Sequence, residues 1–81
     1  MNKIMTLLDT VIATIDLTDQ QVLAGDLGTI VEIYAEPTLA YEVEFVNPDG
    51  TTRALLTLTP NQVRPLSETD VITTRPLAVA A

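Results

Sequence analysis

Between Tyr41 and Phe45 apolar and charged side chains alternate without a break, Tyr-Glu-Val-Glu-Phe. In an extended chain successive side chains point to opposite faces, so Tyr41, Val43 and Phe45 are expected to line an interior and Glu42 and Glu44 to face solvent. A helix would scatter these five residues around its axis, so the alternation commits the middle of the chain to a strand. Asn47-Pro48-Asp49-Gly50 follows with the composition of a hairpin turn: Asn opens it, Pro pre-sets φ at the second position, and Gly accepts a positive φ at the exit. Thr52–Thr59 (TRALLTLT) is the expected return strand, stopped by Pro60. Pairing Val46 with Thr51 would set Glu44 opposite Arg53 outside and Val43 opposite Ala54 inside. A slip of one residue would bring Arg53 beside Phe45.

Composition extends the β prediction to the whole chain. Thr, Val and Ile together supply 27 of the 81 residues, and such side chains lose rotamer freedom in helices but pack well on pleated surfaces. Apolar residues make up 47%, well above what a disordered segment carries. Lys3–Leu8 (KIMTLL) reads as one turn of helix or a short preceding strand, and Thr10–Leu17 (TVIATIDL) as the first main strand. Thr18–Gln21 is a polar turn, after which Val22-Leu23 are placed to plug the interior from the loop. A Gly-punctuated turn, Ala24–Gly28, feeds the strand Thr29–Tyr34 (TIVEIY), and Glu36-Pro37-Thr38 marks the next loop. Asn61-Gln62-Val63 reads as a single 3₁₀ turn, and Arg64-Pro65-Leu66 as a short closing strand with Pro at an edge. The expected architecture is all-β: a small five-stranded barrel over residues 1–66, with a short N-terminal turn of helix. Residues 67–81 are expected to be a tail, either mobile or docked on a partner.

The order of these pieces resembles the SH3-like barrels of the KOW and translation-protein type. The matching residues are Gly25-Asp26-Leu27-Gly28 before the apolar run Thr29–Ile33, then Tyr41–Phe45, then Leu56-Thr57-Leu58, then Gln62–Leu66. From Asp9-Thr10-Val11 to Arg64-Pro65-Leu66 the chain is similar to a family of small bacterial proteins, frequent in cyanobacteria, known only as a domain of unknown function. It is more loosely similar to the SH3-like C-terminal domain of nitrile hydratase β subunits. The resemblance implies a fold and no activity, and the tail lies outside it.

The absences exclude chemistry. The chain has no His, Cys or Trp, and a single Ser, Ser67. There is therefore no Ser-His-Asp or Cys-His arrangement, no imidazole acid–base catalyst, no thiolate zinc site and no disulfide. No apolar run is long enough to span a membrane, and the first ten residues lack the apolar core and cleavage site of a signal peptide, so the cytoplasm is the expected compartment. Eleven acids against four bases give a charge of −7, which disfavours a phosphate-tracking nucleic-acid surface and favours a neutral or basic protein partner.

Among candidate sites, Gly25-Asp26-Leu27-Gly28 lacks the third glycine and the following helix of a dinucleotide fingerprint. It is expected to place glycines at positive φ before a strand. Asp16 and Asp19 around the first loop lack the Gly and terminal Glu of an EF-hand, so a turn-capping role is expected. Glu32, Glu36, Glu42 and Glu44 form an acidic stripe, read either as the solvated face of the strands or as a docking surface for a basic partner. Arg53 is expected to neutralise Glu44. Tyr34, at a strand end beside a loop, is the aromatic suited to anchor a partner, while Tyr41 and Phe45 belong to the core. No catalytic, cofactor-binding or metal-ligating residue is expected. The function that follows is a protein-interaction module or accessory subunit rather than an enzyme. Two alternatives stand beside it: an antitoxin or immunity protein neutralising a basic toxin or nuclease, and a self-assembling protein that oligomerises through strand edges or the tail.

Overall fold

The computed structural model describes residues 5–77 of the chain. Five strands follow one another: β1 Thr10–Ala13, β2 Leu27–Tyr34, β3 Ala40–Val46, β4 Thr52–Leu58 and β5 Val63–Pro65, with one 3₁₀ turn at Thr18–Gln20. All neighbours are antiparallel, in one sheet of order β4-β3-β2-β1-β5. β4 and β5 are its two edges, and no ladder joins them. The chain is all-β, as the β-branched composition predicts.

The core lies on one face of this sheet. Val11, Val22, Ile30, Val43 and Phe45 are fully buried, joined by Ala13, Tyr41, Ala54, Leu58 and Val63. Burying each large side chain contributes about 1.5–3 kcal/mol. Tyr41, Val43 and Phe45 face inward and alternate with the half-exposed Glu42 and Glu44. Val22 reaches the core from the loop after β1. β1 departs from alternation, because Ile12 stands outside the core cluster yet is only 7% exposed. The segment after β5 closes over it, leaving a cavity of about 110 Å³ lined in part by Ile12, Leu27, Leu66 and Ile72.

Several expectations are corrected. β1 ends at Ala13 rather than Leu17, because Leu17 turns back to bridge Val22 around the 3₁₀ turn. Met5–Leu8 is no turn of helix: Asp9 Oδ2 accepts from the Thr6 N–H at 2.9 Å, Leu8 adopts a φ of 69°, and its N–H donates to the Ile30 carbonyl at 2.7 Å. The strand alternative for Lys3–Ile4 lies outside the described residues. The single turn expected at Asn61–Val63 falls earlier, over Pro60 and Asn61, where the Gln62 N–H donates to the Thr59 carbonyl at 3.0 Å, and Val63 already belongs to β5. The β3–β4 register is shifted by two residues, with Phe45 opposite Ala54 and Glu44 opposite Leu55. Asn47, not Val46, closes the hairpin with Thr51 (N to O, 2.7 Å), leaving a three-residue loop with Gly50 at φ 91°. That is the loop geometry that ends in a left-handed glycine. Val46 then pairs with Thr52, so Arg53 is an extra residue on β4, a bulge.

A second bulge falls in β2. Ile30 pairs with Val43 and Glu32 with Glu42, leaving Val31 without an opposite residue. Strict alternation from Ile30 would turn Glu32 inward. The bulge resets the facing, so Ile33 lies opposite Tyr41 while Glu32 and Tyr34 turn outward.

Candidate functional site

The outer face of β2, β3 and β4 gathers the predicted carboxylates. Glu32 lies directly opposite Glu42, and Glu42 opposite Thr57; the next row sets Glu44 between Thr29 and Leu55. The Tyr34 hydroxyl donates to Glu42 Oε2 at 3.0 Å, and Thr57 Oγ1 lies 3.5 Å from Glu42 Oε1. Thr52 donates its hydroxyl to Glu44, and the Ile33 N–H donates to Glu32 Oε1 at 3.2 Å. The hydrogen bond to Glu42, then lost hydration and the charges of Glu42 and Glu32, push the Tyr34 hydroxyl above its usual range. Tyr34 and Leu55 are 39% and 54% exposed, so this face also offers apolar surface. Glu36 is not part of the ladder. It lies in the loop after β2, preceding Pro37 through a cis peptide, and is exposed.

No described arginine reaches this face. Arg53 was expected to neutralise Glu44, but the bulge takes it out of the alternation. Its guanidinium donates to the Gln21 carbonyl at 3.0 Å, to the Val46 carbonyl, and to Asp26 Oδ2 at 3.3 Å. Arg75 grips the same Asp26 with two parallel bonds, Nε to Oδ1 at 3.0 Å and Nη2 to Oδ2 at 2.6 Å. Arg64 forms a similar fork on Asp70, at 2.9 and 2.8 Å. Directly paired like charges on neighbouring strands oppose folding, and among the described residues no cation pairs with Glu32 or Glu42.

Asp26 is the residue the sequence reading passed over. Its carboxylate also accepts the Leu23 N–H at 3.0 Å, and only 12% of the side chain is exposed. Burial pushes its pKa up, but the Arg75 hydrogen bonds, the Leu23 N–H and the two guanidinium charges together bring it below the usual range. Asp70 is also held well below that range, by the Arg64 fork and the Ser67 N–H. The signal for Asp26 was weak: Arg-Pro-Leu occurs twice, at 64–66 and 75–77, in a chain with only four basic residues.

Of the two acids expected to cap the first loop, Asp19 lies in the 3₁₀ turn, where no side-chain capping bond forms. Asp16 accepts the Ala24 N–H at 2.8 Å and so clasps its loop. Gly25 has a φ of 96°, whereas Gly28 is not in the left-handed region and pairs with Val11 inside the sheet. Among the described residues no three acidic side chains gather where a metal ion could be held, and no helix is long and apolar enough to cross a membrane.

No curated protein and no solved structure matches this chain. The model of a family described as a domain of unknown function (DUF4926) matches residues 7–65. That span holds all five strands together with Asp26 and Arg53, and stops short of Arg75. The chain belongs to the DUF4926 family.

Proposed function

We propose that this chain is a small protein-interaction module, an accessory subunit whose acidic outer face binds a protein with a neutral or basic surface. The observation that carries the reading is the distribution of charge. The three arginines are committed to Asp26 and Asp70, while Glu32, Glu42 and Glu44 share one sheet face without a cation among the described residues. A partner's Lys or Arg placed between Glu32 and Glu42 would relieve their repulsion. Tyr34 and Leu55 add apolar contact beside the charges, with Glu36 in the adjoining loop. On this reading the sheet is a partly open SH3-like barrel, curled by its two bulges, the compartment is the cytoplasm, and the chain performs no chemical step.

Charge reversal tests it. Glu42→Lys with Glu44→Lys is expected to leave the circular-dichroism spectrum unchanged and to slow association with the partner captured from native extract at least tenfold at low salt, the difference shrinking as salt rises. A double variant that unfolds, or that associates at the native rate, would overturn the reading. Whether the captured partner is toxic when expressed alone separates an antitoxin from an accessory subunit.

A further inference from the structure

Arg75 and the residues around it lie on the body of the protein as a ligand lies on a receptor. Its two nitrogens meet the two Asp26 oxygens in the fork geometry that distinguishes a guanidinium from a simple positive charge. The receptor does not depend on Arg75 for its shape. Asp26 is held by the Leu23 N–H and by Arg53, and Arg53 is itself fixed by the carbonyls of Gln21 and Val46. Two residues further on, Leu77 is half-buried and lines one open volume together with Leu23 and Gln21.

The occupant fits loosely. Among the described residues no backbone hydrogen bond ties Val71–Leu77 to the sheet. An open volume of about 180 Å³ remains beside Leu77, bounded by Thr18, Gln21 and Leu23. A second, of about 330 Å³, runs past Asp26 between Leu27, Val46 and Pro48. Thr73–Pro76 are exposed, and the Arg75 side chain is 31% exposed. A partly exposed ion pair is a weak tether.

We infer that the groove centred on Asp26 is a binding site for an extended peptide segment of a basic protein, one carrying arginine with an apolar residue two positions later, and that the chain's own Thr73–Leu77 fills it until displaced. The partner is a basic protein rather than a second copy because each copy carries a charge of −7 and repels another. The site stands apart from the glutamate face, since Glu32, Glu42 and Glu44 do not line it. Either can fail without the other.

The test uses the full chain with Arg75→Ala, which empties the site and leaves the Arg53–Asp26 pair in place. The probe is a blocked synthetic peptide with the sequence of residues 73–77, followed by amide NMR. Saturable shifts are expected at Leu23, Asp26 and Leu27. The wild-type chain should bind at least tenfold more weakly, because its tethered segment competes at an effective concentration on the order of millimolar. A peptide with lysine in place of arginine should bind the variant at least tenfold more weakly than the arginine peptide. Equal binding by wild type and variant, or shifts mapping to Glu42 and Glu44, would overturn the inference. So would a wild-type dimer that Arg75→Ala dissolves, since that places the segment between copies. An Arg75→Ala chain that no longer folds would overturn it too, because a segment the fold requires is not displaceable.

Discussion

Gly28 shows how one residue serves a purpose its sequence context disguises. Two glycines flank Asp26-Leu27, and a turn before a strand is where positive φ is expected, but only Gly25 has it. A Cβ at Gly28 would come within 2.6 Å of Val43 Cγ1 and 2.9 Å of Phe45 Cε1, both core side chains. At Gly25 a Cβ would meet nothing within 4 Å, but the φ of 96° would strain it. Gly28→Ala is therefore expected to lose about 1–3 kcal/mol by overpacking. Gly25→Ala should lose about 1 kcal/mol from backbone strain alone. Urea denaturation with equal slopes measures both. The reverse order would remove the close-approach explanation.

Among the strands, the two bulges decide what each face presents. Val31 carries no opposite residue, so the residues on either side of it already pair in continuous register with β3. Deleting Val31 is expected to leave Ile30 and Ile33 inside and Glu32 and Tyr34 outside, at a cost of about 1–2 kcal/mol in thermal or denaturant unfolding. Deleting Glu42 from the unbulged β3 is different, because it turns Tyr41 away from the core that Val43 and Phe45 share. That chain should lose its cooperative transition. If the two deletions behaved alike, the bulge would not be where Val31 sits. The period-two reading of β3 succeeded because the strand has no bulge. The register of β3 with β4 departs from the expected one because the loop closes between Asn47 and Thr51 rather than Val46 and Thr51, and Arg53 is an extra residue on β4.

Across the whole molecule Asp26 ties together parts far apart in sequence: the turn before β2 directly, the hairpin and the 3₁₀ loop through Arg53, and the final segment through Arg75. Asp26 and Asp70 both titrate below their usual range in the folded chain. The unfolded chain therefore takes up protons first as pH falls below about 4–5. The stability from these pairs is fully present at neutral pH and is lost as pH falls through the folded values. A plot of melting temperature against pH should be flat from pH 7 to about 5 and then decline. Asp26→Asn should start lower and decline less steeply, having lost one of the three carboxylates held below their usual range, the third being Asp49 under its Thr51 hydrogen bonds. A parallel decline in both chains would show that Asp26 takes no part.

The amino-acid sequence by itself determined the class of the fold, the interior residues of β3, the hairpin turn, and the exclusion of imidazole and thiol chemistry. Each of these rests on a local property: side-chain branching, alternation, turn stereochemistry, or simple absence. The acidic face was legible for the same reason, since alternation alone sends Glu42 and Glu44 outward. Only the tertiary structure decided which carboxylate each arginine takes, how β4 aligns with β3, and where Ile12 finds cover. Those outcomes depend on distances between residues up to 49 positions apart in the chain. Charge and hydropathy patterns along a sequence contain no term for such distances, and folding supplies them by closing bulges and loops that shift every partner beyond them.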